Sequence, residues 1–230
     1  MLSAVLPQNV RNLLRHTFDA AFCKSFPDKQ PVGGASQWTM LTRDMRSDSV
    51  VYSGGVGEDI SFELELIRLY GVRIHIFDPS PVGNKTIAKT LNNSEKLEKH
   101  LAFKPLGLAA TSQVNFSIGG GNGETAWLRA ATGDKSESVP CTTIPDELLM
   151  NAHDHIDLLK IDIEGFEYEV LQSCFEAKIP IKQICVEFHD FFPDIPKMKT
   201  FRAINDLRRR GFILVHKNRH DHTFYNSEYL

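Results

Sequence analysis

The stretch VVYSGGVGEDISFELELIRLYGVRIHIFDP, residues 50–79, decides the fold. Val50-Val51-Tyr52 is a short β-forming run, and Ser53–Asp59 is a glycine-rich turn. Ile60, Leu64, Ile67 and Tyr70 then recur at helical spacing up to Gly71, a residue suited to ending a helix. VRIHIF (72–77) alternates β-branched residues with others and stops at Asp78-Pro79. Strand, glycine loop, helix and strand in that order make a βαβ unit, the connection that parallel strands require.

Working outward, residues 84–100 read as a polar surface helix with its linker, and a third strand falls around Phe103–Leu108. VNFSI (114–118) and TAWLRA (125–130) flank a Gly119–Gly123 turn, where Asn122-Gly123 is a hairpin signal. After a polar loop at 132–140, IPDELLMNA reads as a helix and IDLLKIDIEG (156–165) as an apolar strand ending in acids. FEYEVLQSCF (166–175) is helical, and QICVEFHD (183–190) is a second buried strand with a polar end. A helix over about 197–210, ended by Gly211, and the strand FILVH (212–216) follow. The alternation predicts an α/β fold with a mostly parallel sheet and helices on both faces. Upstream, residues 24–49 are turn-rich, with one edge strand and Trp38 in a packing role. Val10, Leu13, Leu14 and Phe18 lie at helical spacing, so residues 1–49 are expected to be a helix and loop covering an α/β domain at 50–230. The apolar-then-charged order of the first 18 residues reverses that of a signal peptide.

Composition bounds the rest. The 230 residues are 42% hydrophobic and 24% charged, which excludes a disordered or collagen-like chain. Lys and Arg number 26 against 29 Asp and Glu. With no excess of cations to neutralise a phosphate backbone, nucleic acid is not the expected partner. Cys23, Cys141, Cys174 and Cys185 form no C-x-x-C pair, so neither a zinc knuckle nor a disulfide framework is expected, and a reducing, cytoplasmic setting fits. No apolar run reaches the roughly 18 residues of a membrane span. Oligomeric state has no signature in the sequence.

In open α/β sheets, ligands bind beyond the carboxyl ends of the strands. Four polar or glycine-rich segments fall there: Ser53–Asp59, Asp78, Asp162–Gly165, and Glu187–Asp190. Gly54, Gly55 and Gly57 allow a tight turn and a close approach of backbone to a ligand, with helix N–H groups aimed at any anion. No Lys-Ser or Lys-Thr follows, so the loop is not a P-loop. Asp78, 21 residues after Gly57, stands where a carboxylate accepts both hydroxyl hydrogens of a ribose. Together they point to an adenosine-containing cofactor. Asp162 and Glu164 share one side if the segment is extended, and Glu187 and His189 are likewise two apart. Glu167 and Glu169 need no function, because a helix start favours acids. His189 beside carboxylates is a candidate base or metal ligand. His216, His220 and His222 read as solvated surface.

VVYSGGVGEDISFELEL, FDPSP, the GLAAT segment (107–111), IDLLKIDIEGFEYEVL and ICVEFHD, in that order, resemble the FkbM-type family of S-adenosylmethionine-dependent methyltransferases over about residues 50–215. Here Ser53 stands near the acidic position of the family's D-x-G-A-N-x-G loop, and Glu58-Asp59 follow Gly57. The resemblance implies a seven-stranded class I methyltransferase sheet, Rossmann-like, whose antiparallel final strand FILVH would supply. It implies a cofactor site of Ser53, Gly54, Gly55, Gly57, Asp59, Asp78, Gly107, Leu108 and Asp162. In it Asp78 binds the ribose, Gly107-Leu108 border the adenine, and Asp162 lies beside the methionine end. Asp162, Glu164, Glu187 and His189 then form the acceptor edge, with His189 or Asp162 as base, and the acceptor is a hydroxyl on a small molecule or glycan. A divalent ion held by some of these is an alternative way to acidify that hydroxyl, although no metal is assigned. Two other readings are an NAD-dependent oxidoreductase, which predicts a G-x-G-x-x-G triplet that GGVGED (54–59) lacks, and a non-catalytic nucleotide-binding module.

Overall fold

The computed structural model describes residues 23–120, 126–130 and 136–230. The expected N-terminal helix and the Asn122-Gly123 turn lie outside them. The decisive stretch folds as its pattern predicts: β3 (Val50–Gly54), α1 (Ser61–Tyr70) and β4 (Arg73–Phe77), with Gly71 at φ 67° closing the helix and donating its N–H to the Ile67 carbonyl. Before it, β1 (Lys29–Val32) and β2 (Trp38–Leu41) form an antiparallel hairpin where one edge strand was expected. After it come α2 (Pro81–Asn93), a 3-10 turn (Glu95–Leu97), β5 (Leu101–Lys104) and β6 (Gly107–Leu108). The single strand expected at 103–108 is therefore two short ones, interrupted at Pro105, and they belong to different sheets.

β7 (Gln113–Gly120), β8 (Ala126–Ala130) and β9 (Ser136–Thr142) join β6 in a four-stranded sheet ordered β6-β9-β7-β8. Gly119 and Gly120 are thus strand residues rather than turn, and much of the predicted polar loop at 132–140 is strand. The chain continues through α3 (Ile144–Asn151), β10 (Ile156–Ile161), α4 (Glu167–Glu176), β11 (Ile181–Glu187), α5 (Lys197–Arg209), β12 (Phe212–Asn218) and β13 (Asp221–Asn226).

The central sheet has seven strands among the described residues, ordered β12-β13-β11-β10-β3-β4-β5. β3, β4, β5, β10 and β11 pair in parallel. β13 pairs antiparallel with β11 on one side and β12 on the other, so the sheet is mixed and β12 runs with the parallel set. This corrects the role expected of FILVH, which lies at the sheet edge. The antiparallel strand is DHTFYN (221–226), from the stretch read as solvated surface. Its polar residues hid it, yet they are paired indoors: His222 Nδ1–H donates to the His220 carbonyl at 2.7 Å, and Thr223 Oγ1 donates to the Thr39 carbonyl at 2.6 Å.

The period-two alternation of the strands divides the core between the two faces. Val51, Ile74, Ile76 and Leu158 pack with α1, α2 and the hairpin residues Trp38 and Met40. Tyr52, Phe77, Leu159 and Ile161 pack on the other face with α3, α4 and α5. The hairpin is tied to the sheet by Gln183, whose side chain bonds both the N–H and the carbonyl of Leu41 (2.8 and 3.0 Å). Trp38 is buried in that packing, as expected.

Candidate active site

β3 and β4 end at Gly54 and Phe77, and β10 ends at Ile161. Beyond these ends lies a cleft of about 150 Å³. Its walls are Gly55, Val56 and Gly57 from the glycine loop, Phe77–Ser80 and Val82 from the end of β4, Gly107 and Leu108, and Asp162–Glu164 with Phe166. Gly55, Gly57, Asp78, Gly107, Leu108, Asp162 and Glu164 were all expected at a site. Val56 and Ile163 fall within segments expected there, whereas Phe77, Val82 and Phe166 were not singled out, because apolar residues at strand ends look no different from core, and Ser80 reads as a turn residue.

The loop is held from several directions. Gly55 has φ 81°, and a Cβ there would stand 1.8 Å from the Asp162 carbonyl oxygen, so no other residue fits. Its N–H donates to the Phe77 carbonyl at 2.9 Å. Asp78 is buried and its carboxylate accepts from Val56 N (2.8 Å), Gly57 N (3.0 Å) and Ser80 N (2.7 Å). A Cβ on Gly83 would collide with that carboxylate at 2.3 Å, which shows how closely α2 sits against it. The observed work of Asp78 is thus to join the glycine loop to the start of α2, at the wall of the cleft. Lys160, buried, donates to the carbonyls of Gly54 and Gly55 from below.

Three of the expected cofactor residues face elsewhere. The Ser53 hydroxyl is 1% exposed and donates to Glu63 of α1 at 2.5 Å. Asp59 accepts from Ser61 N, Ser61 Oγ and Ser36 N, closing the start of α1 on the N-terminal loop. Burial works against its ionisation, but the hydrogen bonds from Ser61 and Ser36 outweigh that and hold its carboxyl below the usual range. Gly54 lies beneath the cleft, where a Cβ would strike Leu108 at 2.7 Å and Ile163 at 3.1 Å.

The acidic edge is built differently from the extended segment expected. Glu164 has φ 56° and Gly165 φ 102°, so the chain turns after Ile163. The turn nevertheless brings Asp162 and Glu164, each about one-third exposed, to the same cleft. His189 lies behind them, 2% exposed, with Nε2 3.6 Å from Asp162 Oδ1 and 3.3 Å from Glu164 Oε2. Glu167, assigned no role from sequence, is fully buried. Its Oε1 accepts from the His189 main-chain N–H (2.8 Å) and from Nδ1 (2.9 Å), and its Oε2 accepts from Gly165 N (2.8 Å). Burial alone would depress the imidazole, but the Glu167 hydrogen bond and the charges of Glu167, Glu164 and Asp162 outweigh it and raise His189 to about 9. In this geometry His189 stands behind Asp162 and Glu164 rather than on the cleft wall.

Glu187 does not line the cleft. Burial, with the charge of Asp162 next, pushes its carboxyl up to about 8. Its cross-strand partner is Asp221 of β13, raised to about 6 by burial and by Asp162. No local pattern announces Asp221, since its approach depends on β13 being inserted beside β11.

A family model described as the methyltransferase FkbM domain matches residues 51–214. No curated protein sequence matches the chain. Among solved structures, the chain is similar to the METTL16 MTase domain, with 10% identity and a TM-score of 0.48, covering 78% of this chain and 60% of that one. It is similar to a human methyltransferase 10 domain containing protein, with 11% identity and a TM-score of 0.46, covering 96% and 84%. An rRNA methylase from Streptococcus thermophilus is similar at 9% identity and a TM-score of 0.43, covering 78% and 86%. The chain spans about three-fifths of the METTL16 structure.

Proposed function

The chain belongs to the FkbM methyltransferase family, and from that premise we propose that it transfers a methyl group from S-adenosylmethionine to a hydroxyl of a small molecule or glycan. The observation that carries this reading is the cleft beyond β3, β4 and β10, where a glycine loop and the carboxylates of Asp162 and Glu164 face one another. The residues fit the cofactor. Gly57 has nothing within 4 Å of the place of a Cβ, so the backbone is open to a ligand. Phe77, Val82, Leu108 and Phe166 offer apolar walls to a flat ring, and Asp162 and Glu164 offer negative charge to a cationic centre.

Bound there, S-adenosylmethionine supplies a methyl group already activated by its sulfonium. What remains for this chain is alignment, exclusion of water and removal of a proton. Asp78 and Lys160 fix the loop. Asp162, at the cleft and joined to β3 by its N–H to the Gly54 carbonyl (3.0 Å), is positioned to take the acceptor's hydroxyl proton, whereas His189 is shut behind it.

Calorimetry with S-adenosylmethionine, S-adenosylhomocysteine and NAD tests the cofactor, and binding of NAD alone would reverse the reading. For the reaction, transfer of labelled methyl to a panel of sugars and phenols is expected to fall about 10²–10⁴-fold in Asp162→Asn. Undiminished transfer by that variant removes Asp162 from the mechanism.

A further inference from the structure

One oxygen each of Asp162 and Glu164 and one ring nitrogen of His189 all lie within 4.8 Å of one another. Two observations separate this group from a chance gathering of acids. The first is the imidazole. It is 2% exposed, and it is aimed from behind, because Glu167 accepts from both Nδ1–H and the main-chain N–H of His189. Nε2 is thereby the ring nitrogen presented to the two carboxylates. A carboxylate behind an imidazole, fixing its tautomer and orientation, is the usual support of a metal-bound histidine.

The second is spacing. Nε2 stands 3.3 Å from Glu164 Oε2 and 3.6 Å from Asp162 Oδ1. A charge-assisted N–H···O bond would draw these atoms to about 2.8 Å. Donors arranged around one ion with bonds of about 2.0 Å are separated by about 3.3 Å when tetrahedral. Both carboxylates line the cleft, and the imidazole stands behind them.

We infer that Asp162, Glu164 and His189 hold a divalent first-row transition-metal cation, of the class that accepts mixed carboxylate and imidazole donors, such as Mn²⁺ or Zn²⁺. Facing the cleft, the ion polarises the oxygen of the acceptor hydroxyl. That role rests on the methyl-transfer reading, whereas the binding of the ion does not.

The test uses the whole chain, stripped of metal by a chelator. It is titrated with Mn²⁺ and followed by electron paramagnetic resonance, with spin-echo modulation to detect a coordinating ¹⁴N. Zn²⁺ uptake is measured in parallel by atomic emission. One ion per chain is expected, with nitrogen modulation that disappears in His189→Gln. Glu167→Gln, which removes the support without removing a ligand, should weaken binding about ten- to hundredfold. Absence of stoichiometric uptake of both ions by the wild-type chain, or bound Mn²⁺ without nitrogen modulation, overturns the inference whether or not the variants fold. S-adenosylhomocysteine binding, measured on the same samples by calorimetry, reports the cofactor reading separately.

Discussion

Gly55 and Gly57 are two residues apart in one loop and both have positive φ, yet the surroundings ask different things of them. At Gly55 a Cβ would meet the Asp162 backbone at 1.8 Å, and backbone cannot swing aside. Gly55→Ala should therefore cost about 3–5 kcal/mol from the strained φ and the clash together, and abolish cofactor binding. Gly57→Ala meets nothing and should cost about 1–2 kcal/mol, the penalty of the left-handed conformation alone. Urea midpoints of the two variants check the contrast, and equal losses would contradict the close approach seen at Gly55. The glycine cluster was legible in the sequence, but its inequality was not, because spacing carries no information on what stands opposite. The same holds for Asp78 and Glu167. Their places at a strand end and a helix start were readable, while two of the three N–H groups on each carboxylate come from segments 21–22 residues away.

At the scale of elements, α2, which backs the cleft, begins on a recognisable cap. Ser80, with φ −71° and ψ 146°, accepts from Gly83 N at 3.0 Å, and Pro81 follows at the first helical position. Ser80→Ala should lower stability by about 1 kcal/mol, read as a shift in urea midpoint at constant slope. Because Ser80 also lines the cleft, the variant should weaken S-adenosylhomocysteine binding as well. β10 shows why its reading succeeded. IDLLKI is buried throughout, and its two charged residues are compensated: Asp157 by Lys182 at 2.6 Å and Val50 N at 2.8 Å, and Lys160 by loop carbonyls. An apolar run between two parallel neighbours keeps its signal. β13 lost it, since four of the six residues of DHTFYN are polar and become satisfied only after docking between β11 and β12.

For the molecule as a whole, stability should depend on pH through a buried cluster away from the cleft. His75 stacks on Tyr52 with ring centroids 4.9 Å apart and meets His153 edge-on at 5.1 Å. Burial, with the charge of His153 second, holds His75 down to about 4, and His153 is lowered too, by burial first. A histidine depressed on folding contributes fully above its unfolded value near 6.5, and that contribution is lost as pH falls toward the folded value. His75 alone should remove about 2 kcal/mol between pH 7 and pH 5. Urea melts at the two pH values should therefore differ more for the wild type than for His75→Phe, and parallel slopes would refute the assignment. The sequence by itself determined the βαβ start, the strands LLKI and ICV, the α/β class and the strand-end positions of Gly55, Asp78, Asp162 and His189. Those follow from local periodicity and from the rule that ligands gather at strand ends. Tertiary structure alone decided that Ser53 and Asp59 turn to α1, that Asp78 holds the loop, that Asp221 joins the acidic edge, and that Glu167 aims His189 at Asp162 and Glu164. Each of these depends on pairing between distant segments, and a side chain's partners are set by where the chain returns, which no local pattern encodes.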